Sequence, residues 1–132
     1  MPSLIMKFVL VLTVVALVAA HRDFQLDANV PYEAGVCSAG ETVSFHVPSN
    51  PTTGFNWYIV PTNSIVAQPL NGFTGDFHPS GSGLIGAGGE QEFILQCWTQ
   101  AKPSNTYEFR LEKRRGFEPD PAKVKLVTLT VQ

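Results

Sequence analysis

The sequence predicts an all-β domain, a sandwich or a barrel, on three observations. Apolar residues alternate with polar ones at a period of two over several short runs, the pattern of strands with one buried face. Turn signals separate these runs, drawn from 11 Gly and 10 Pro among 132 residues. Past the first twenty residues, no window of eleven carries the period of an amphipathic helix.

The amino-terminal segment stands apart. Lys7 is its one charged residue, Phe8 to Ala20 is uncharged and apolar, and Val18-Ala19-Ala20 places small residues at the −3 and −1 positions of a cleavage site. Residues 1–20 therefore read as a secretory signal peptide. A transmembrane anchor is the alternative, but a span needs about 20 apolar residues, and His21-Arg22-Asp23 ends this run too soon. Cleavage after Ala20 leaves residues 21–132 as a single domain and moves the net charge from −2 to −3. A chain of that size buries about two-thirds of its unfolded surface and needs no disulfide framework. Cys37 and Cys97 would meet an oxidising lumen and can pair there; their spacing alone does not decide it.

The strands follow in order. Val43, Phe45 and Val47 alternate with Thr42, Ser44 and His46; Phe93, Leu95 and Cys97 alternate with Glu92, Ile94 and Gln96. Tyr107, Phe109 and Leu111 alternate with Glu108, Arg110 and Glu112. In the last run Val124 and Leu126 give way to Val127, Leu129 and Val131, a slip of one residue that predicts a β-bulge. Between them stand Ala39-Gly40, Ser49-Asn50-Pro51, Asn71-Gly72, the glycine-rich 81–89, Lys102-Pro103-Ser104-Asn105 and the 115–121 stretch. Trp57 opens a strand and reads as a core residue.

Several chemistries are excluded. A net charge of −2 with no long run of either sign argues against nucleic-acid binding, and the apolar content argues against disorder. Gly81-Ser82-Gly83-Leu84-Ile85-Gly86 fits the dinucleotide pattern in letters only, because a strand rather than a helix follows it. His21 reads as a mobile amino-terminal residue, His46 as outward-facing and His78 as loop-adjacent, so no metal or catalytic set is expected. Neither cysteine has a base beside it in the sequence, and no cofactor motif is present. Glu90 and Glu92 read as a solvent-facing pair. Lys113-Arg114-Arg115 reads as a solvated loop or as an orienting element in a protein interface.

Three long loops carry apolar side chains where loops are ordinarily polar: 50–57, 81–89 and 113–121. The first, Asn50-Pro51-Thr52-Thr53-Gly54-Phe55-Asn56-Trp57, and the second, ending Gly86-Ala87-Gly88-Gly89, resemble the chagasin family of cysteine-peptidase inhibitors. The third keeps Arg115 and the aromatic Phe117 around Gly116, without the central Pro of the family's third motif. The resemblance covers residues 33 to 132. It implies an immunoglobulin-like β-sandwich that is not an enzyme and inhibits papain-like proteases of the cathepsin L and B type, its own or a host's, tightly and reversibly.

The resemblance also implies roles. Asn50, Pro51, Thr52, Thr53, Gly54 and Phe55 would plug the catalytic centre. Leu84 and Ile85 would extend along the non-primed subsites, Ile85 in the S2 pocket, while Gly86, Ala87, Gly88 and Gly89 let the backbones approach. Arg115, Gly116 and Phe117 would brace the primed side, contributing less than the family pattern suggests. The implied inhibitor is a monomer, free of membrane and nucleic acid after cleavage, in the secretory route, either released or held in lysosome-like or phagosomal vesicles. An immunoglobulin-like adhesion or carbohydrate-binding module is the competing reading.

Overall fold

The period-two runs become the inner strands of two facing sheets. The computed structural model describes residues 21–60, 66–81, 88–116 and 118–132. The signal-peptide reading of 1–20, and Leu84, Ile85, Gly86, Ala87 and Phe117, lie outside the described residues.

One sheet contains β1 (His21–Gln25), β3 (Thr42–Ser49), β7 (Gly89–Cys97) and β5 (Ala67–Pro69), with β6 (Asp76–Pro79) also paired to β7. The other orders β2 (Tyr32–Cys37), β9 (Lys123–Val131), β8 (Thr106–Arg115) and β4 (Phe55–Val60). The edge strands β1 and β2 run parallel to β3 and β9, whereas the remaining pairs are antiparallel. This is a sandwich, and the alternative of a barrel falls away.

The core is what the alternation predicts. Val43, Phe45, Val47, Phe93, Leu95, Cys97, Tyr107, Phe109, Leu111 and Trp57 are all buried. Phe45 stacks on Phe24 at 5.2 Å between centroids and meets the edge of Phe109 at 5.4 Å, which ties β1, β3 and β8 across the sandwich. Cys37 on β2 and Cys97 on β7 form a disulfide, Cα–Cα 6.6 Å, joining one sheet to the other.

Two expectations are corrected. β9 has no bulge: its pairing with β8 keeps one register from Lys113↔Lys123 to Thr106↔Thr130. The inward positions are Lys125, Val127, Leu129 and Val131, while Val124 is exposed. A lysine occupies the core phase, which mimics a slip in the hydropathy pattern. Its ammonium is satisfied by Glu33 at 2.6 Å and by the carbonyls of Asp27 at 2.8 Å and Val30 at 2.5 Å, as a buried cation requires. His21 is the second correction. It is the first residue of β1, opposite Thr42, and its Nδ1 lies 2.8 Å from Thr42 Oγ1.

Candidate functional site

Strand direction decides which loops share a pole. β3 ends at Ser49 opposite Gly89, where β7 begins, and β4 begins at Phe55 opposite Arg115, where β8 ends. The turns after β3, before β7 and after β8 therefore open on one end of the sandwich.

The first turn is built from its own residues. Pro51–Thr53 is a single 3-10 turn, with Pro at its start, where a fixed φ and a missing N–H cost nothing. Asn50 Oδ1 accepts from the Thr52 N–H at 3.3 Å and from Thr52 Oγ1 at 2.5 Å. The Asn50 carbonyl accepts from the Thr53 N–H at 3.1 Å and from Thr53 Oγ1 at 2.7 Å. Gly54, at φ +85°, closes the turn by donating to the Pro51 carbonyl at 2.9 Å; that left-handed conformation is what glycine supplies. Both threonine hydroxyls are thus spent inside the turn, on Asn50. The result is a short, internally satisfied projection.

Buried Gln91 roots it. Its Oε1 accepts from Ser49 Oγ and from the Trp57 N–H, both at 2.8 Å, while its Nε2 donates to the carbonyls of Trp57 at 2.9 Å and Thr74 at 2.8 Å. Trp57 is 1% exposed and donates from its indole to the Pro48 carbonyl at 3.2 Å. One side chain therefore joins the two sides of the first turn to the strand carrying the second loop. Sequence reading passed over Gln91, although its position two before Phe93 puts it in the inward phase.

The second loop leaves β6 and returns at Gly88. Ser80 donates to the Gly88 carbonyl at 2.9 Å, and Gly88, at φ +77°, lies directly against Ser49 and Asn50. The third reversal starts later than the sequence suggests: Lys113, Arg114 and Arg115 continue β8 and are not loop residues. The Arg115 guanidinium stacks 4.3 Å from the centre of the Phe55 ring, with Lys113 Nζ 5.8 Å away. Arg115 also pairs with Glu118 at 3.6 Å, and Arg114 binds Glu112 at 2.6 Å and the Pro119 carbonyl at 2.8 Å. Gly116 is exposed beyond this clamp. Of the residues singled out in the sequence, 50–55, Gly88, Gly89, Arg115 and Gly116 are thus brought to one pole.

The chagasin family peptidase inhibitor model matches residues 36–131. The chain belongs to the chagasin family. Chagasin from Trypanosoma cruzi is 39% identical over 57 residues, covering 42% of this chain and 52% of that protein, so the matched segment spans about half the length of that curated relative. Among solved structures, the cysteine protease inhibitor EhICP2 from Entamoeba histolytica superposes with a TM-score of 0.59 at 19% identity over 86% of this chain and 99% of that one. Amebosin, in solution, gives 0.51 at 21% identity over 86% of this chain and all of its own, and PbICP-C in complex with falcipain-2 gives 0.51 at 20% over 84% and 99%. At these identities the likeness is one of fold, the immunoglobulin-like sandwich of chagasin-type proteins.

A second polar cluster lies on the outer face of the first sheet in this chagasin-family domain. His46 contacts Asp23 at 2.9 Å, Glu90 at 3.0 Å and Glu92 at 3.8 Å; His78 contacts Glu92 at 2.8 Å and His21 contacts Asp23 at 3.5 Å. The three histidines, scattered in sequence, share one face, and Glu90 and Glu92 are engaged there rather than merely solvated. Asp23, His46 and Glu92 offer donor atoms within 4.8 Å of one another, the grouping among the described residues nearest to a metal-binding set. Partial burial disfavours the His46 cation, yet its hydrogen bonds to Asp23 and Glu90 and the charges of Glu90 and Glu92 outweigh this and raise its pKa. The His46 hydrogen bond holds Asp23 below the usual carboxylate range against slight desolvation, and the Ser44 hydrogen bond, with His78, does so for Glu92.

Proposed function

We propose that this chain is a reversible, tight-binding inhibitor of papain-like cysteine proteases that fills the active-site groove with three loops and performs no reaction itself. The observation that carries the reading is the shared pole: Gly88 packs on Asn50, and Phe55 packs on Arg115.

The first turn supplies the plug. A protease captures its substrate as an extended strand whose scissile carbonyl faces the nucleophile. Here the Asn50 and Pro51 carbonyls are turned into a 3-10 backbone and engaged by Thr53 and Gly54. Neither is offered in attack geometry, so the turn occupies the cleft without being cut. The internal hydrogen bonds and the Gln91 anchor hold its shape before docking, which reduces the entropy lost on binding. Leu84 and Ile85 extend along the non-primed side, Ile85 in the apolar S2 pocket, and Arg115, with Gly116 and Phe117, braces the primed side. Such a contact has the standard protease–inhibitor size of about 1,600 Å².

The signal-peptide reading of residues 1–20 supports a secretory route, with the protein released or retained in lysosome-like vesicles, and an exposed three-loop pole supports action as a monomer. Titration of papain with purified residues 21–132 tests the proposal. A sharp, reversible, stoichiometric loss of activity is expected; a folded sample that leaves papain untouched overturns it.

A further inference from the structure

The pole that carries the three loops holds a fourth segment. β1 runs parallel to β3, and β2 runs parallel to β9. The chain between them, residues 26–31, therefore crosses from one sheet to the other at the end where β3 meets the first turn and β9 leaves the third reversal. Leu26 anchors the crossing in the core at 3% exposure, with its N–H on the His46 carbonyl at 2.7 Å.

The crossing is held as tightly as the first turn. Asp27 Oδ1 accepts from the Asn29 N–H at 2.9 Å, and the Asp27 N–H donates to Glu33 Oε2 at 3.1 Å. Lys125, 1% exposed, reaches up from the core to the carbonyls of Asp27 and Val30 and to Glu33. Lys123 Nζ donates to Asn29 Oδ1 at 3.0 Å. Burying a lysine beneath a surface turn costs desolvation, and here that cation fixes the shape of one segment.

The segment exposes Val30 and Pro31 beside the polar Asp27 and Asn29. Val30 and Val124, 36% and 44% exposed, line a hollow of about 280 Å³ together with Ala28, Pro31, Asn29 and Lys123. A second hollow, of about 350 Å³, joins Ala28, Asn29 and Lys123 of this surface to Pro48, Asn50 and Gly88 of the loops. The surface around Val30 is thus continuous with the three-loop face, through a hollow that Asn29, Lys113 and Lys123 also line.

We propose that residues 27–31 are a fourth contact segment, with Val30 at its centre and Val124 beside it, packing on an apolar part of the target protease flanking its groove. The inference rests on the reading of the three loops as the inhibitory face. It adds a determinant of affinity for papain-like enzymes outside the substrate subsites.

The test is inhibition of papain by wild type, Val30→Asp, Val30→Ser and Gly88→Ala, with melting temperatures and backbone hydrogen exchange of the free and bound inhibitor. Val30→Asp is expected to raise Ki about ten-fold, Val30→Ser less, both melting within about 3 °C of wild type, and exchange across 27–31 is expected to slow in the complex. Unchanged Ki in a folded Val30→Asp variant, or unprotected 27–31 in the complex, overturns the fourth contact even where Gly88→Ala weakens inhibition. A wild type that fails to inhibit papain overturns both readings together. Should Val30→Asp not fold, Val30→Ser and the exchange pattern decide.

Discussion

Gly88 sits so close to Asn50 that a Cβ on it would stand 3.2 Å from the Asn50 Cβ and 3.0 Å from the Ser49 carbonyl oxygen, at a φ of +77°. That proximity couples the second loop to the plug, and it leaves no allowance for a side chain. Gly88→Ala must strain the backbone or push the two loops apart. We expect the Ki for papain to rise at least ten-fold while the melting temperature falls by only a few degrees, because the change lies outside the core.

Gln91 serves four partners with one amide. Gln91→Leu keeps the volume and strands the Trp57 N–H and the Trp57 and Thr74 carbonyls, each of which loses its bond to this side chain. Buried polar groups left unpaired cost about 1–3 kcal/mol each. Thermal unfolding should show a drop of roughly 10 °C or more, with weaker inhibition measured well below the transition.

Ile85→Asp addresses the second loop. A carboxylate in an apolar subsite loses its hydration without a partner, so inhibition of papain should weaken by at least an order of magnitude. The melting temperature should stay near that of wild type.

The outward face of the first sheet sets a pH dependence. His46, in contact with Asp23, Glu90 and Glu92, has a raised pKa, so its contribution is complete below the ordinary imidazole range and is lost as pH rises through the raised value. Asp23 and Glu92 have lowered values, so their contribution is present above the ordinary carboxylate range and is lost as pH falls through them. Stability in urea is expected to be greatest at mildly acidic pH and to decline toward neutral. His46→Gln should flatten that neutral-side decline; an unchanged slope would assign it to other groups.

The disulfide closes a loop of 60 residues between the sheets. On chain-entropy grounds such a link stabilises by about 4 kcal/mol. Replacing Cys37 and Cys97 together by Ser should lower the urea midpoint accordingly, with papain inhibition at low temperature within about two-fold of wild type, since neither cysteine is at the loop pole.

The central strands were legible because each has one face against the core, so Val43 to Val47, Phe93 to Cys97 and Tyr107 to Leu111 alternate cleanly. β1 and β2 were not, since an edge strand such as His21–Gln25 buries no residue fully and has Phe24 as its only apolar side chain. β9 was misread for a specific reason: Lys125 is polar by residue type and buried by position, and only its long stem and three hydrogen-bond partners reconcile the two. The first turn could be read because Asn, Pro and Gly each impose a local geometry. The Cys37–Cys97 link and the three-histidine face could not, since both depend on which strands become neighbours. Gln91 was visible in phase and overlooked in chemistry. The 26–31 crossing is not among the turns the sequence points to, since nothing local to it says at which end of the molecule it stands.

β1 begins at His21 opposite Thr42, and β9 finishes at Val131 opposite Cys37, both at the pole remote from Asn50 and Gly88. The start of β1 and the end of β9 therefore both lie behind the domain. A reporter fused behind Val131 would thus stand at the pole opposite the working tip.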